Sequence, residues 1–396
     1  LHINQEHKGW IDWNMIRTFQ IFFSNRYFRT VGLIFAVNSI LFGSWITRLP
    51  EVQNRLGIGE GELGLALLGL PLGSVMIMPF MGWIIHKLGD GKATLFSATL
   101  FCVVSTFPIL APSYGLLFLA MVLVGISTGS MDIAMNASAA AIEKRFSQVI
   151  MSTCHGMWSI GGMVGAGSTS LLVWLQVDAH LHIPILGGLL VGVVYLHRFV
   201  LLSIREETVS DVVFSIPTGP LIGLAAIGFC IMLGEGAIAD WSAVYLKNTL
   251  RADAFYSGLG YAGFSLTMAI GRFYGDRIIA GWGSRKLVMA GGLIGMVGMI
   301  LGLVPRDPLF VVIGFTIAGL GFSCLIPAVY IAASRMPGRV PGASLAAVAG
   351  FGYFGLLIGP PLIGMIAEML GLTAGLSIVI LLLFFVVVLS GYVRFK

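Results

Sequence analysis

Twelve stretches of about twenty mostly apolar residues follow one another along this chain with little between them, and that pattern leaves one environment in which it can fold. The stretches run roughly over 28–48, 62–86, 93–111, 114–142, 152–174, 183–203, 218–246, 255–275, 286–304, 309–334, 343–369 and 372–393. Hydrophobic residues make up 57% of the 396 positions and charged residues 10%, so the outer surface of the fold must face lipid rather than water. A backbone in hydrocarbon has to satisfy its own polar groups, which makes each stretch a helix. The expected fold is therefore an all-α membrane protein of twelve transmembrane helices. The 53 glycines suit helices that approach one another closely.

The chain also carries a faint copy of itself at an offset of 194 residues. Gly64, Gly69, Gly89, Gly125, Gly156, Gly161 and Gly165 recur as Gly258, Gly263, Gly283, Gly319, Gly350, Gly355 and Gly359, and Lys92 and Arg145 recur as Lys286 and Arg339. Chance supplies about three or four glycine pairs at this glycine content. The context carries the argument instead, since the pairs fall at matching places along matching apolar stretches. The repeat divides the chain into a segment 1–27, a six-helix half 28–203, a linker 204–217 and a second six-helix half 218–396. Residues 1–27 hold Trp10, Trp13, Phe19, Phe22 and Phe23 among charges, the pattern of a cytoplasmic or interfacial segment.

Charge sets the orientation. Of the 23 Lys and Arg residues only Arg48, Arg55, Lys247, Arg251 and Arg306 fall on the side opposite the termini. The positive-inside bias then puts both termini in the cytoplasm. The net charge of +5 is spread over the loops, with no basic element of the kind that binds nucleic acid. Arg48-Leu49-Pro50 follows the first apolar run, so that run reads as a span and not as a cleaved leader. Cys102, Cys154, Cys230 and Cys324 each lie inside an apolar stretch without metal-ligand spacing and read as buried thiols. No metal site and no cofactor motif is expected. There is no Walker loop, no paired-histidine metal motif and no nucleophile elbow, which argues against ATP-driven action and against a membrane enzyme.

Ionisable groups within spans are costly and mark function. On span four, Asp132 lies near the middle, with Asn136 and Glu143 following at helical spacing on one face. Glu143 adjoins Lys144 and Arg145 and reads equally as an interfacial charge. Span seven holds Glu235 between Gly234 and Gly236, then Asp240 and Trp241. The two glycines predict a kink or an unwound turn. Glu235 and Asp240 are about 140° apart on a regular helix, so an unbroken helix would not aim both at one point. Glu235 is preferred as the second cavity acid, and Trp241 is a candidate stacking surface. Span one offers Asn38 and Trp45 on one face, with Arg48 at its outer end as a partner for an acid such as Asp240. Span five offers His155, a group that titrates near neutrality, and Trp158. Tyr261, Ser323, Tyr330 and Tyr353 each read alone as packing residues, and Tyr353 joins the candidate site. Gly359-Pro360-Pro361 predicts a bend in span eleven.

Two motifs carry a family resemblance. Gly271-Arg272-Phe273-Tyr274-Gly275-Asp276-Arg277, followed by Gly283-Ser284-Arg285-Lys286, resembles the loop signature of the major facilitator superfamily. In that family Gly271, Asp276, Arg277, Gly283, Arg285 and Lys286 would form a latch holding one conformation. The first-half counterpart, Gly82 to Lys92, lacks the Asp-Arg pair. On span four, Gly125, Gly129 and Asp132-Ile133-Ala134-Met135-Asn136 resemble the fucose-permease-like branch. There a carboxylate followed four residues later by Asn serves proton-coupled sugar uptake. That branch also has an acid on span one, which is missing here. The arginine that antiporters of the family place before the span-four glycines is missing too.

The resemblance implies a monomeric secondary transporter in a bacterial inner membrane. It would move a small polar, sugar-like solute by alternating access, with protons as the coupling ion and the lipid bilayer as its surroundings. The alternative is a proton-driven exporter of drugs or metabolites, and a non-transport receptor or enzyme ranks below both.

Overall fold

A computed structural model describes residues 20–204, 216–337, 341–393 and 395. Most of the predicted linker, and Trp10, Trp13 and Phe19 of the amino-terminal segment, lie outside the described residues. Among the described residues there are twelve long helices: α1 (Arg26–Thr47), α2 (Glu60–Leu88), α3 (Asp90–Leu110), α4 (Tyr114–Phe146), α5 (Met151–Trp174) and α6 (Ala179–Leu196), then α7 (Leu221–Val244), α8 (Leu259–Trp282), α9 (Ser284–Leu303), α10 (Pro308–Ser334), α11 (Pro341–Leu370) and α12 (Leu372–Tyr392). Ten of them are long and apolar enough to cross a membrane. The other two, α5 and α8, are the ones diluted with Ser, Thr, His, Arg and Asp. They pack against each other between the halves, so less of their surface has to meet lipid.

The repeat is visible in the packing. In the first half α1 lies on α5, α2 and α3 lie on α4, and α3 lies on α6. In the second half α7 lies on α11, α8 and α9 lie on α10, and α9 lies on α12, each pair shifted by six helices. Helices in lipid are held by close contact rather than by exclusion from water, and small residues set how near they come. A Cβ on Gly125 would stand 2.0 Å from the Leu70 carbonyl oxygen, and a Cβ on its repeat mate Gly319 would stand 2.2 Å from that of Phe264. Leu70 and Phe264 are themselves repeat mates, so one backbone contact is used twice.

The tight turns repeat as well. Gly89 before α3 and Gly283 before α9 have φ of 81° and 77°, a backbone region that a Cβ disfavours. Asp276 and Arg277 therefore do not lie in a loop as the sequence pattern implied. Helix α8 continues through them to Trp282, and the chain breaks only at Gly283. Arg285 donates from Nη2 to the Gly391 carbonyl near the end of α12, and Arg277 and Lys286 are exposed.

On the side opposite the termini the halves meet on their pseudo-two-fold axis. Asn54 Nδ2 donates to Oδ1 of Asn248, its own repeat mate 194 residues away, at 3.3 Å. Asn248 Nδ2 donates to Gln53 Oε1 at 2.8 Å. Asn248 sits on a widened π turn, Tyr245–Thr249, that ends α7. Nearby, the Gly61 amide donates to Glu368 at 3.1 Å and the Gly258 amide donates to Ser170 Oγ at 3.0 Å, each bond crossing between the halves.

Candidate functional site

A cavity of about 550 Å³ lies between the halves and is closed beneath these contacts. Its wall runs from Trp45, Leu67 and Asp240 at the closed end to Met151, Ser152 and Tyr330 toward the side of the termini. Two repeat-related helix faces oppose each other across it. Asn38, Phe42 and Trp45 of α1 have Met232, Gly236 and Ala239 of α7 as repeat mates, and all six line the cavity. Corresponding positions thus stand at corresponding depths, with large side chains on α1 at two of them where α7 has Gly236 and Ala239.

Most of the candidate residues from the sequence meet here. Asp132, Glu235, Asp240, Asn38, Trp45, His155, Trp158 and Tyr353 all line the wall. Asn136 does not, but its Nδ2 donates to the Asp132 carbonyl at 2.8 Å and to the Asp132 carboxylate at 3.1 Å, fixing that carboxylate from behind. Tyr353 of α11, from the second half, lines the same cavity as Asp132. Trp158 Nε1 donates to Asn38 Oδ1 at 3.0 Å, and Asn38 Nδ2 reaches Met131 Sδ at 3.4 Å. His155 faces Phe35 edge-on at 5.2 Å.

Other residues stand elsewhere than the sequence implied. Trp241 is fully buried outside the cavity, and its Nε1 has no hydrogen-bond partner among the described residues. Glu143 accepts from the amides of Ile150 and Met151 at 2.6 and 2.7 Å, capping the start of α5, where unpaired backbone N–H groups favour an anion. Arg48 does not reach Asp240. It is 1% exposed and bonds Glu51 at 2.6 Å, the Val177 carbonyl at 2.9 Å and His182 Nδ1 at 3.5 Å. Helix α7 is regular through Gly234 and Gly236, and the irregular turn falls at Tyr245–Thr249. Asp240 therefore sits about 7.5 Å further along the axis than Glu235, and the two acids serve different levels of one cavity.

The residue that sequence reasoning missed is Arg272. It looks like part of a cytoplasmic loop motif, yet it lies inside the cavity wall. Its Nη2 reaches Glu235 Oε1 at 3.3 Å and its Nη1 donates to Ser159 Oγ of α5 at 2.8 Å. Its guanidinium stands 5.7 Å from the Trp158 ring. The usable signal was position, because Arg272 precedes the predicted end of span eight at 275. Tyr261 and Tyr330 also line the wall.

A cavity between two six-helix halves, with acids, one arginine and amides at mid-depth, defines a secondary transporter. The sequence profile of the Major Facilitator Superfamily matches residues 30–212 and 224–395, and the chain belongs to that family. It is a multi-pass integral membrane protein whose relatives move solutes and are not enzymes. An uncharacterised transporter of this superfamily from Yersinia pestis is 31% identical over 351 residues, covering 89% of this chain and 91% of that one. The membrane protein MosC of Rhizobium meliloti is 30% identical over 353 residues, covering 88% and 86%.

Among solved structures, a bacterial homologue of the human lysosomal transporter Spinster, in an inward-facing and occupied conformation, aligns with a TM-score of 0.73. It is 15% identical, with 95% of this chain and 96% of that chain covered. The nucleoside transporter NupG aligns at 0.67 and the E. coli fucose:proton symporter FucP at 0.62. Each is 15% identical, with 93% of this chain and 98% of that chain covered. These likenesses establish the shared fold.

Proposed function

We propose that the protein is a proton-coupled transporter of a small polar, sugar-like solute, working as a monomer in a bacterial inner membrane with both termini cytoplasmic. The observation that carries this reading is the placement of Asp132. It lines the cavity on the first half, is oriented by Asn136, and shares that cavity with Tyr353 of the second half. A carboxylate held there feels the closure of the two halves directly. Protonating it removes a charge that would otherwise be sealed in a low-dielectric compartment when the cavity occludes. Asn38 and Ser74 supply hydrogen-bonding positions for hydroxyl groups, and the ring faces of Phe42 and Trp158 suit the apolar face of a sugar ring. The latch residues Gly271, Asp276, Arg277, Gly283, Arg285 and Lys286 belong to this reading as elements that hold one state.

Proteoliposomes loaded with a pH-sensitive dye and offered a panel of labelled sugars and related polyols test it. The expected result is solute accumulation that follows an imposed pH gradient, with proton movement accompanying solute. Asp132→Asn is expected to lower gradient-driven accumulation at least about tenfold while leaving solute exchange without a gradient measurable. Accumulation that ignores the gradient, or an Asp132→Asn protein that accumulates like wild type, overturns the proposal.

The axial contact yields a second expectation. With Asn54 and Asn248 both replaced by Cys, a short bifunctional thiol reagent bridges two positions that alternating access must separate. Transport in proteoliposomes is expected to stop on cross-linking and to return on cleavage of the linker. The four native cysteines are all buried and leave the reagent little else to react with. Full transport by the cross-linked protein would show that this side does not open.

A further inference from the structure

We propose that the closed end of the cavity is an ammonium subsite, formed by Asp240 with the rings of Phe42, Trp45 and Tyr261, so that the solute carries an amine. The inference rests on reading this cavity as the transport site. The charges of the wall carry the first part of the argument. Asp132, Glu235 and Asp240 face the cavity, and Arg272 is the only Lys or Arg among the described lining residues. Arg272 is engaged by Glu235. Asp132 has Asn136. Asp240 has no hydrogen bond and no ion pair among the described residues, so the wall holds one carboxylate for which the protein supplies no counter-group. Asp240 is half-buried in the cavity wall, and a carboxylate without a protein partner becomes costly when such a compartment closes. Its persistence calls for an occupant that brings the positive charge.

The second part is the shape of the surroundings. The repeat mate of Asp240 is Ile46 and that of Trp45 is Ala239, so the carboxylate and the indole stand at the same depth on opposed helices. Phe42 lies one turn below Trp45, and its repeat mate is Gly236. Gly236 lines the cavity too, and a Cβ there would meet Leu356 of α11 at 3.0 Å. Tyr261 of α8 meets Phe42 edge to face at 6.2 Å. A proton alone would neutralise Asp240 and needs no aromatic walls. An ammonium group both pairs with the carboxylate and is attracted by ring faces, while an anion is repelled by both. The rest of the solute would extend from this end toward Asn38 and Trp158.

Purified full-length protein in detergent tests this with three probes of one shape: cyclohexylammonium, cyclohexanol and cyclohexanecarboxylate, at matched ionic strength. Thermal shift and tryptophan fluorescence are read together. Cyclohexylammonium is expected to bind about tenfold more tightly than cyclohexanol, and the carboxylate not to bind. Asp240→Asn is expected to abolish the preference for the ammonium over the alcohol, and Phe42→Leu to reduce it about threefold in a protein that still folds. Equal affinity for ammonium and alcohol, or a preference that survives both substitutions, overturns the subsite. An absence of ammonium binding between about pH 6 and 8 identifies the occupant as a proton and overturns it too. The outcomes separate from those of the transport assay. Gradient-driven transport without ammonium preference removes this subsite alone, and ammonium binding without gradient-driven transport removes the coupling alone.

Discussion

Arg272→Gln is expected to destabilise the protein by about 2–3 kcal/mol, measured as a lowered unfolding midpoint in detergent, and to abolish transport. The substitution leaves Glu235 without its 3.3 Å ion pair and removes the 2.8 Å bond from α8 to Ser159 of α5. Breaking a fully buried pair costs about 3–5 kcal/mol, because the remaining charge stays desolvated. The side chains here are 16% and 24% exposed to the cavity, which moderates the cost. Adding Glu235→Gln is expected to restore most of the lost stability, since no charge is then stranded, but not the transport. If the double variant is no more stable than the single one, the pair is not the reason for the loss. A single variant that transports normally would remove Arg272 from the site.

Gly125→Ala and Gly319→Ala are each expected to cost about 3 kcal/mol or more and to collapse the yield of monodisperse protein, although each adds only one methyl group. The added carbon would stand 2.0 Å from the Leu70 carbonyl in one case and 2.2 Å from the Phe264 carbonyl in the other. Neither obstacle is a side chain that can turn away. Backbone must move, and α2 must part from α4, or α8 from α10, over a face held by dispersion contacts that fall off steeply with distance. Gly188→Ala is the control, because nothing lies within 4 Å of a Cβ there. Size-exclusion profiles of the three variants read the difference. Normal profiles for all three would mean that close approach at these glycines does not limit folding.

The limits of the twelve helices were legible because the transfer of apolar residues into lipid is a local property, summed over each stretch without reference to any other. Helix α8 was the exception. Its polar end, Arg272 to Arg277, resembles a loop by composition but is helical to Trp282, with the break delayed to the positive-φ Gly283. The candidate acids were legible for the same local reason: Asp132, Glu235 and Asp240 are conspicuous wherever they point. Their partners were not. Glu51, three residues on, was the local partner that spacing offered Arg48, but only the packing of α1 against α6 brings Val177 and His182 to it.

The sequence by itself determined the membrane class, the number of spans, the presence of a repeat and the set of ionisable residues that had to be explained. All of these follow from residue-by-residue transfer energies and from spacing along the chain. The tertiary structure decided which of those residues share a compartment. It placed Trp241 in the core and Arg272 in the cavity. It made repeat mates Asn54 and Asn248 touch on the axis, and it put Asp240 in one cavity wall with Phe42, Trp45 and Tyr261. Those outcomes depend on how two six-helix units oppose each other, and contact across an axis is set by the rotation of each helix about its own length, which no local sum encodes.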